Sequence, residues 1–192
     1  SAAPPRSRAD AARPTVFAPR MARFRSCPPA ACSAPDATTT WPGLRLCPGA
    51  SQLSVVGEGL PMIYNGQEAG NTQRLAFFER DPIAWQDHPN GELYRQLFAL
   101  KKANTALWNA PWGARMLDVP NSSPETVLIF VRTNDKEKVF AVFNFSAKPV
   151  EVSFKESLYP GSYRDFTTGR VEKLEAGTSL HLPAWGYRVF LR

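Results

Sequence analysis

From Gly113 to Arg192 the chain alternates apolar and polar positions in short runs that are separated by turn residues. This alternation is typical of β-strands that turn one face toward a core. Six runs read as strands: "ETVLIFVRT", "KVFAVFNFS", "VEVSF", "SYRDF", "TSLHL" and "YRVFL". The first two flank the turn "NDKE" and predict a hairpin. The pattern predicts an all-β antiparallel sandwich over residues 111–192, with no helix-length apolar stripe.

Residues 51–110 have a different pattern, which predicts a helix end, a strand, a long loop and a second helix. The stretch "SQLSVVGEG" suits the last turns of a helix that ends at glycine. Leu60–Tyr64 is apolar on both faces, as in a strand of a parallel sheet that is covered on both sides. Downstream, Asn90 or Gly91 can start a helix with Glu92 in its first turn. Its apolar stripe is Leu93, Leu97, Leu100 and Leu107.

Residues 1–50 differ from the rest of the chain in composition. They hold nine of the 18 prolines, all three cysteines (Cys27, Cys32 and Cys47) and seven of the 23 basic residues, but two of the 17 acids. They contain no Lys, Ile, Glu, Asn, Gln, Tyr or His. Such a segment buries too little apolar surface to offset its ordering entropy, so it is predicted to be disordered. Translation of a G/C-rich region out of frame is an alternative origin for this leader.

The charge distribution argues against a nucleic-acid partner. The net charge of +6 divides into +5 for residues 1–50 and +1 for residues 51–192, so the predicted folded part is nearly neutral. A folded domain that recognises nucleic acid needs basic residues clustered on its surface. The sequence also has no apolar run near the ~20 residues that a membrane helix needs. We therefore predict neither a nucleic-acid nor a membrane partner, and the sequence leaves the compartment unknown.

Candidate chemistry lies just after the predicted strand at Leu60–Tyr64. In a β/α barrel, polar residues past the C-terminal end of a strand face the active-site mouth. Asn65, Gln67 and Glu68 occupy that position. The alternative is that Gln67 and Glu68 only hold the loop by binding backbone amides, and the sequence does not decide between the two.

The long loop that follows contains further candidates. Arg74 is predicted to pair with one of the loop acids, and Phe77 to wedge the loop onto the barrel or to stack on a sugar ring. The cysteines form no zinc or redox motif, and no metal site is predicted. His88 and His181 have no partners readable as a catalytic arrangement, so a structural role is predicted for each.

Several of these stretches together resemble the C-terminal end of an α-amylase-type enzyme of glycoside hydrolase family 13. They are "GLPMIYNGQEAG", "RLAFFERDPIAW", "YRQLFALKKANTAL", "VFAVFNFS" and "LPAWGYRVFLR". The strongest element is a Gly-x-Pro-x-Ile-Tyr-x-Gly-x-Glu pattern carried by Gly59, Pro61, Ile63, Tyr64, Gly66 and Glu68. The resemblance covers about Ser51 to Arg192.

The resemblance implies a fold with three parts. These are the leader over 1–50, the eighth strand and helix of a (β/α)8 barrel over 51–110, and the C-terminal β-sandwich over 111–192. It also implies that the two catalytic carboxyl groups of a retaining glycosidase come from earlier barrel strands. No catalytic residue is therefore predicted in this chain, which is expected to be inactive alone.

The resemblance further implies α-glucan or oligosaccharide as the substrate of the parent enzyme. Calcium, common in the family, would bind the full-length parent outside this segment. The alternative function is a noncatalytic carbohydrate-binding or structural β-sandwich module. Because a lone barrel strand and helix leave apolar faces uncovered, self-association through those faces is expected.

Overall fold

The computed structural model describes residues 40–41, 44–45, 48–71, 78, 80–154 and 159–192. Within them lie short strands β1 (Thr40–Trp41) and β2 (Leu44–Arg45), helices α1 (Pro48–Val56) and α2 (Pro89–Ala103), and a 3-10 helix (Thr105–Leu107). The remaining strands are β3 (Met116–Asp118), β4 (Val127–Thr133), β5 (Lys138–Asn144), β6 (Val150–Ser153), β7 (Gly161–Asp165), β8 (Val171–Leu174), β9 (Ser179–Leu182) and β10 (Tyr187–Leu191). Most of the leader, including Cys27, Cys32 and Cys47, falls outside the described residues.

Two antiparallel sheets form the C-terminal half, which confirms the predicted antiparallel β-domain. One has six strands in the order β3-β4-β5-β10-β7-β8, and the other pairs β6 with β9. The predicted hairpin is β4–β5, with Val127 opposite Asn144 and Thr133 opposite Lys138. At its turn, Asn134 Oδ1 accepts hydrogen bonds from the backbone N–H groups of Lys136 and Glu137. All six predicted runs form strands.

The two sheets enclose the main hydrophobic core. Phe140 lies at its centre, with ring centroids 5.4 Å from Phe154, 5.7 Å from Tyr159 and 5.8 Å from Phe190. The buried phenol groups are satisfied, because Tyr159 donates to the Phe154 carbonyl at 2.9 Å and Tyr163 to the Tyr159 carbonyl at 2.7 Å. A buried aromatic cluster of this kind supplies a large share of the hydrophobic stabilisation of a small domain.

The opposite face of the six-stranded sheet packs against the helical segment. Leu53 and Val56 of α1 and Leu107 of the 3-10 helix form a second core with Leu128 and Phe130 of β4. Strand β4 is therefore buried on both faces. The alternation in the sequence assigns the side chains of β4 to the correct faces. In a two-layer sandwich one of these faces would be exposed to solvent, but here the helical segment covers it.

Arg132 is the polar residue that joins these layers. It is 1% exposed. Its guanidinium donates to the carbonyls of Gly57 at 2.6 Å, Trp108 at 2.7 Å and Ala114 at 2.9 Å. Gly57 follows the end of α1 and Trp108 ends the 3-10 helix, so the fork satisfies carbonyls that helix termini leave without partners.

The predicted strand at Leu60–Tyr64 does not form. The segment has no regular secondary structure, and Leu60 and Met62 are 85% and 83% exposed. A strand needs hydrogen bonds from a neighbour, and no other segment of the described chain pairs with this one. The segment is apolar, but the prediction that it forms a strand was wrong. The barrel remnant in the predicted fold is not confirmed.

The second helix is confirmed, and it starts close to the predicted position. The N-cap is His88, whose Nδ1 accepts a hydrogen bond from the Asn90 N–H at 3.2 Å, and Glu92 lies in the first turn. The helix ends at Ala103, so Leu107 belongs to the following 3-10 helix. Helix α1 begins at Pro48 and so crosses the predicted boundary at Ser51. Among the described residues, no helix has the length and apolar character required to cross a membrane.

Candidate functional site

A tight turn over residues 64–71 forms one wall of the candidate site. The Tyr64 N–H donates to Gln67 Oε1 at 2.7 Å, and the Gln67 N–H returns a bond to the Tyr64 carbonyl at 3.0 Å. The Asn71 N–H closes the turn on the Gly66 carbonyl at 2.9 Å. Gly66 has a φ of 90°, a left-handed conformation that glycine adopts without strain.

The start of α2 packs directly on this turn. Asn90 Nδ2 donates to the Gln67 carbonyl at 3.1 Å, and Gln86 Nε2 donates to the Ala69 carbonyl at 3.2 Å. Gly70, with a φ of 69°, lies so close to the His88 ring that a Cβ built there would be 2.5 Å from the ring. The helix start and the turn are thus held in a fixed relation by three contacts.

Between these two elements lies a cleft of about 940 Å³. It is lined by Glu68, Ala69, Trp85, Gln86, Asp87, His88, Pro89, Gly91 and Glu92. Glu68 Oε2 is buried and has no hydrogen-bond partner within the described part of the chain. An unpaired buried carboxylate oxygen is costly, so it is a candidate contact for a ligand hydroxyl.

The cleft is acidic on one side and carries an aromatic ring. Glu68, Asp87 and Glu92 contribute carboxylates, and Trp85 is 60% exposed. Hydrogen bonds from Arg95, at 2.8 and 2.7 Å, and from Gln96 lower the pKa of the Glu92 carboxyl. Glu92 is therefore ionised at neutral pH, where it can accept hydrogen bonds but cannot serve as a proton donor.

The structure places the predicted site residues as follows. Gln67 is buried and its amide oxygen accepts a hydrogen bond from the Tyr64 N–H. This contact is of the kind expected if Gln67 only holds the loop. Glu68 lines the cleft, whereas Asn65 is exposed and outside the lining. Arg74 and Phe77 lie outside the described residues. A functional role for any of these five residues stays a prediction.

Sequence reasoning did not single out the contribution from the start of α2. Asp87, His88 and Glu92 come to the cleft because His88 caps the helix and its ring packs on Gly70. The available signal was the stretch "DHPNGE", in which a capping residue precedes Pro and an acid follows. Within the described residues, no group of three or more His, Cys, Asp and Glu is arranged to hold a metal ion.

A second polar cluster lies on the β-domain. Arg188 Nε donates to Asp165 Oδ2 at 2.6 Å, and its Nη2 contacts Glu172. Asp165 Oδ1 also accepts from the backbone of Thr167 at 2.9 Å and Thr168 at 2.8 Å. Burial raises the pKa of the Asp165 carboxyl, but the Thr168 and Arg188 hydrogen bonds outweigh it, so the net shift is downward. This cluster holds the β7–β8 turn in place, and its carboxylates are already paired.

Comparison with known proteins assigns this fold. Residues 117–189 match the family model described as maltogenic amylase, C-terminal domain. Alpha-amylase 2 of Dictyoglomus thermophilum is 27% identical over 129 residues, a match that covers 58% of this chain and 20% of the relative. The matched part thus spans about a fifth of that relative's length.

Solved structures share the fold. A maltogenic α-amylase, AmyB from Thermotoga neapolitana, superposes with a TM-score of 0.64 at 14% identity, covering 75% of this chain and 35% of AmyB. AmyP in complex with maltose gives a TM-score of 0.55 at 18% identity, covering 75% of this chain and 33% of AmyP.

The chain is therefore similar to the C-terminal part of α-amylase-type glycoside hydrolases of family 13. Within that class, residues 117–189 correspond to the C-terminal β-domain of the maltogenic amylases.

Proposed function

We propose that this chain is the C-terminal part of a retaining glycoside hydrolase that acts on α-glucans. The observation that carries the proposal is the match of residues 117–189 to the C-terminal domain of maltogenic amylases. The antiparallel sheets of that segment have the same fold as the solved amylases. AmyP, a structural relative, was solved with maltose bound, which supports a maltooligosaccharide as the substrate class of the parent enzyme.

In this proposal the 64–71 turn lies at the mouth of the parent's barrel. The support is positional: the turn directly follows the apolar Leu60–Tyr64 segment, which is not a strand in this chain but would become one where the parent supplies neighbouring strands. Polar residues after a barrel strand line the substrate site. Glu68 would offer its unpaired carboxylate oxygen to a sugar hydroxyl. Asn65, Arg74 and Phe77 are proposed to contact substrate or support this loop.

The chain by itself is proposed to have no turnover. A retaining glycosidase needs a nucleophilic carboxylate and an acid with a raised pKa, about 5 to 5.5 Å apart. Among the described residues, the carboxyl groups with clearly shifted pKa values are Glu92, Asp165 and Glu175, and hydrogen bonds lower the pKa of each. The donors are Arg95 for Glu92, Thr168 and Arg188 for Asp165, and Lys173 for Glu175. The proposal assigns the catalytic pair, and any bound calcium, to barrel strands and loops of the parent.

The test is a reducing-sugar assay of the purified chain with soluble starch and with maltoheptaose. We expect no release above the rate without protein over a day, at protein concentrations that would reveal turnover of about one per hour. A chain in which the preceding barrel strands are joined to residue 51 in frame is expected to release sugar. Turnover by the chain itself, or none by the joined protein, would contradict the proposal.

A noncatalytic carbohydrate-binding module is the second candidate function. It is favoured by Trp85, which lies exposed on the wall of a cleft with polar groups beside it. Retention of the chain on insoluble starch, without sugar release by either the chain or the joined protein, would support the module over the enzyme fragment.

A further inference from the structure

A second groove lies away from the 64–71 turn, where α2 meets the segment that follows the 3-10 helix. It has a volume of about 440 Å³ and is lined by Phe98, Lys101, Lys102, Trp108, Asn109 and Trp112. Trp108 is 42% exposed and Trp112 is 75% exposed. Two large aromatic side chains open to solvent at one groove are unusual for a surface that serves only solubility.

The loop that carries both tryptophans is held in place by its backbone. The Trp112 N–H donates to the Asn109 carbonyl at 3.0 Å, and the Gly113 N–H donates to the same carbonyl at 3.1 Å. A Cβ at Gly113 would lie 1.6 Å from the Trp108 carbonyl oxygen, so the loop can close only with glycine there. Arg132 Nη2 binds that carbonyl oxygen at 2.7 Å.

The Trp108 ring is also held in place. Its Nε1 donates to the Lys102 carbonyl at 3.3 Å, which ties the indole to the end of α2. The Trp108 ring and the backbone that carries Trp112 are therefore held in place, so a ligand that binds there loses less entropy in ordering the protein.

The lining chemistry points to an uncharged ligand with both C–H faces and hydroxyl groups. No carboxylate lines the groove, and Lys101 and Lys102 bring positive charge to it, which disfavours a cationic ligand. Lys101 Nζ is engaged by the carbonyls of Val55 at 3.2 Å and Leu107 at 2.8 Å, which leaves its aliphatic stem for the groove. Asn109 Oδ1 is buried without a hydrogen-bond partner among the described residues, and a rotation of the amide would present it to a ligand hydroxyl.

We propose that the Trp108–Trp112 groove is a noncatalytic α-glucan-binding site. The electron-rich faces of the indoles would stack on the C–H faces of glucose units, and the Asn109 amide and the exposed Lys102 ammonium would bind hydroxyls. The substrate class rests on the proposed function, because the lining fits a sugar-like ligand in general and α-glucan is the substrate proposed above for the parent enzyme. The groove is distinct from the cleft at Glu68, with which it shares no lining residue.

The experiment is calorimetric titration of the whole chain with maltoheptaose, for the wild type and for Trp112→Ala, Trp112→Phe and Trp85→Ala. Loss of one stacking ring is expected to weaken binding about tenfold in Trp112→Ala. Trp112→Phe keeps an aromatic face and should retain most of the affinity. Trp85→Ala measures how much the other cleft contributes to the binding. Val171→Ala, titrated alongside as the control, trims an exposed side chain that lines neither cleft nor groove and should bind like the wild type. Thermal unfolding of each variant establishes that it is folded.

The outcomes separate this inference from the proposed function. Unchanged affinity in Trp112→Ala together with a loss in Trp85→Ala would overturn the groove site and leave glucan binding at the Glu68 cleft. No binding by the wild type would also overturn it, while the sugar-release assay of the joined protein would still decide the proposed function. Binding to phosphatidylcholine vesicles that depends on Trp112, without binding to maltoheptaose, would assign the groove to a lipid surface and overturn the inference.

Discussion

Arg132 shows how much of the stability rests on one side chain. Replacement by Met keeps the apolar stem but leaves the carbonyls of Gly57, Trp108 and Ala114 buried without their donor. Each lost partner costs about 1–3 kcal/mol, partly relieved by relaxation, so Arg132→Met is expected to lower the free energy of unfolding by about 3 kcal/mol or more. Urea unfolding followed by circular dichroism measures the change.

The matched control is Arg164→Met. Arg164 lies in β7 with its side chain exposed, so its replacement should change the free energy of unfolding by less than about 0.5 kcal/mol. Equal effects of the two substitutions would show that the buried guanidinium does not hold the helical layer on the sheet.

Lys101 should make stability depend on pH in the alkaline range. Burial, with repulsion from Arg132 as a smaller cause, lowers its pKa from 10.5 to about 8. Between these values the unfolded chain holds a proton that the folded chain has released, so folding becomes more favourable as pH rises. The wild type should therefore gain stability relative to Lys101→Met from pH 8 to 10.5, with a constant difference below that range.

Chemical denaturation of both proteins at several pH values checks this expectation. Lys102→Met serves as the control, because Lys102 is exposed on the same helix. A wild-type minus Lys101→Met difference that stays flat from pH 7 to 10.5 would contradict the shifted pKa.

At the scale of elements, the contact between the 64–71 turn and the start of α2 can be tested with two glycines. Gly70 and Gly169 have the same φ of 69°, but a Cβ at Gly70 meets the His88 ring at 2.5 Å, whereas a Cβ at Gly169 has nothing within 4 Å. Gly169→Ala should cost about 1 kcal/mol of backbone strain. Gly70→Ala should cost more and should displace the His88 ring, which its NMR shifts report. Equal costs and unchanged His88 shifts would indicate that the two elements are not in close contact.

The elements also show what local sequence can specify. Strands β4 and β5 were predictable because alternation and turn residues lie within the strands themselves. Strand β3, with three residues, is too short for a pattern, and β8 has the sequence VEKL, in which only Leu174 is buried and no alternation appears. Both depend on their neighbours for pairing. The strand predicted at Leu60–Tyr64 does not form because an apolar pattern cannot make a strand when no described segment pairs with it.

The candidate site was predictable only in part. Glu68 could be located from its place after an apolar run, but its contacts could not. The meeting of His88 with Gly70 and the burial of Arg132 among carbonyls depend on how separate segments pack. Alternation places Arg132 on the same face of β4 as Leu128 and Phe130. The pattern therefore predicts the face on which Arg132 lies but not the carbonyls that it binds.

At the scale of the whole molecule, the two halves differ in how well their apolar surface is covered. The β-domain is buried on both faces of its central strands, whereas Leu60 and Met62 are 85% and 83% exposed, with Phe78 at 92% in the loop beyond. Exposed apolar residues close together in the chain favour association. We propose that a second copy of this chain covers these exposed side chains. The weight-average mass in sedimentation velocity should then rise above the monomer's 21.3 kDa as concentration increases.

The double substitution Leu60→Ser and Met62→Ser should return the sedimenting species to the monomer across the same concentrations. Because both side chains are exposed, the change should leave the unfolding transition of the β-domain unaltered. Val171→Ser is the control, since Val171 is 67% exposed on β8, within the β-domain. If Val171→Ser lowers association as much as the double substitution, or if the double variant still associates, the contact lies elsewhere and the Leu60–Tyr64 segment is not the interface.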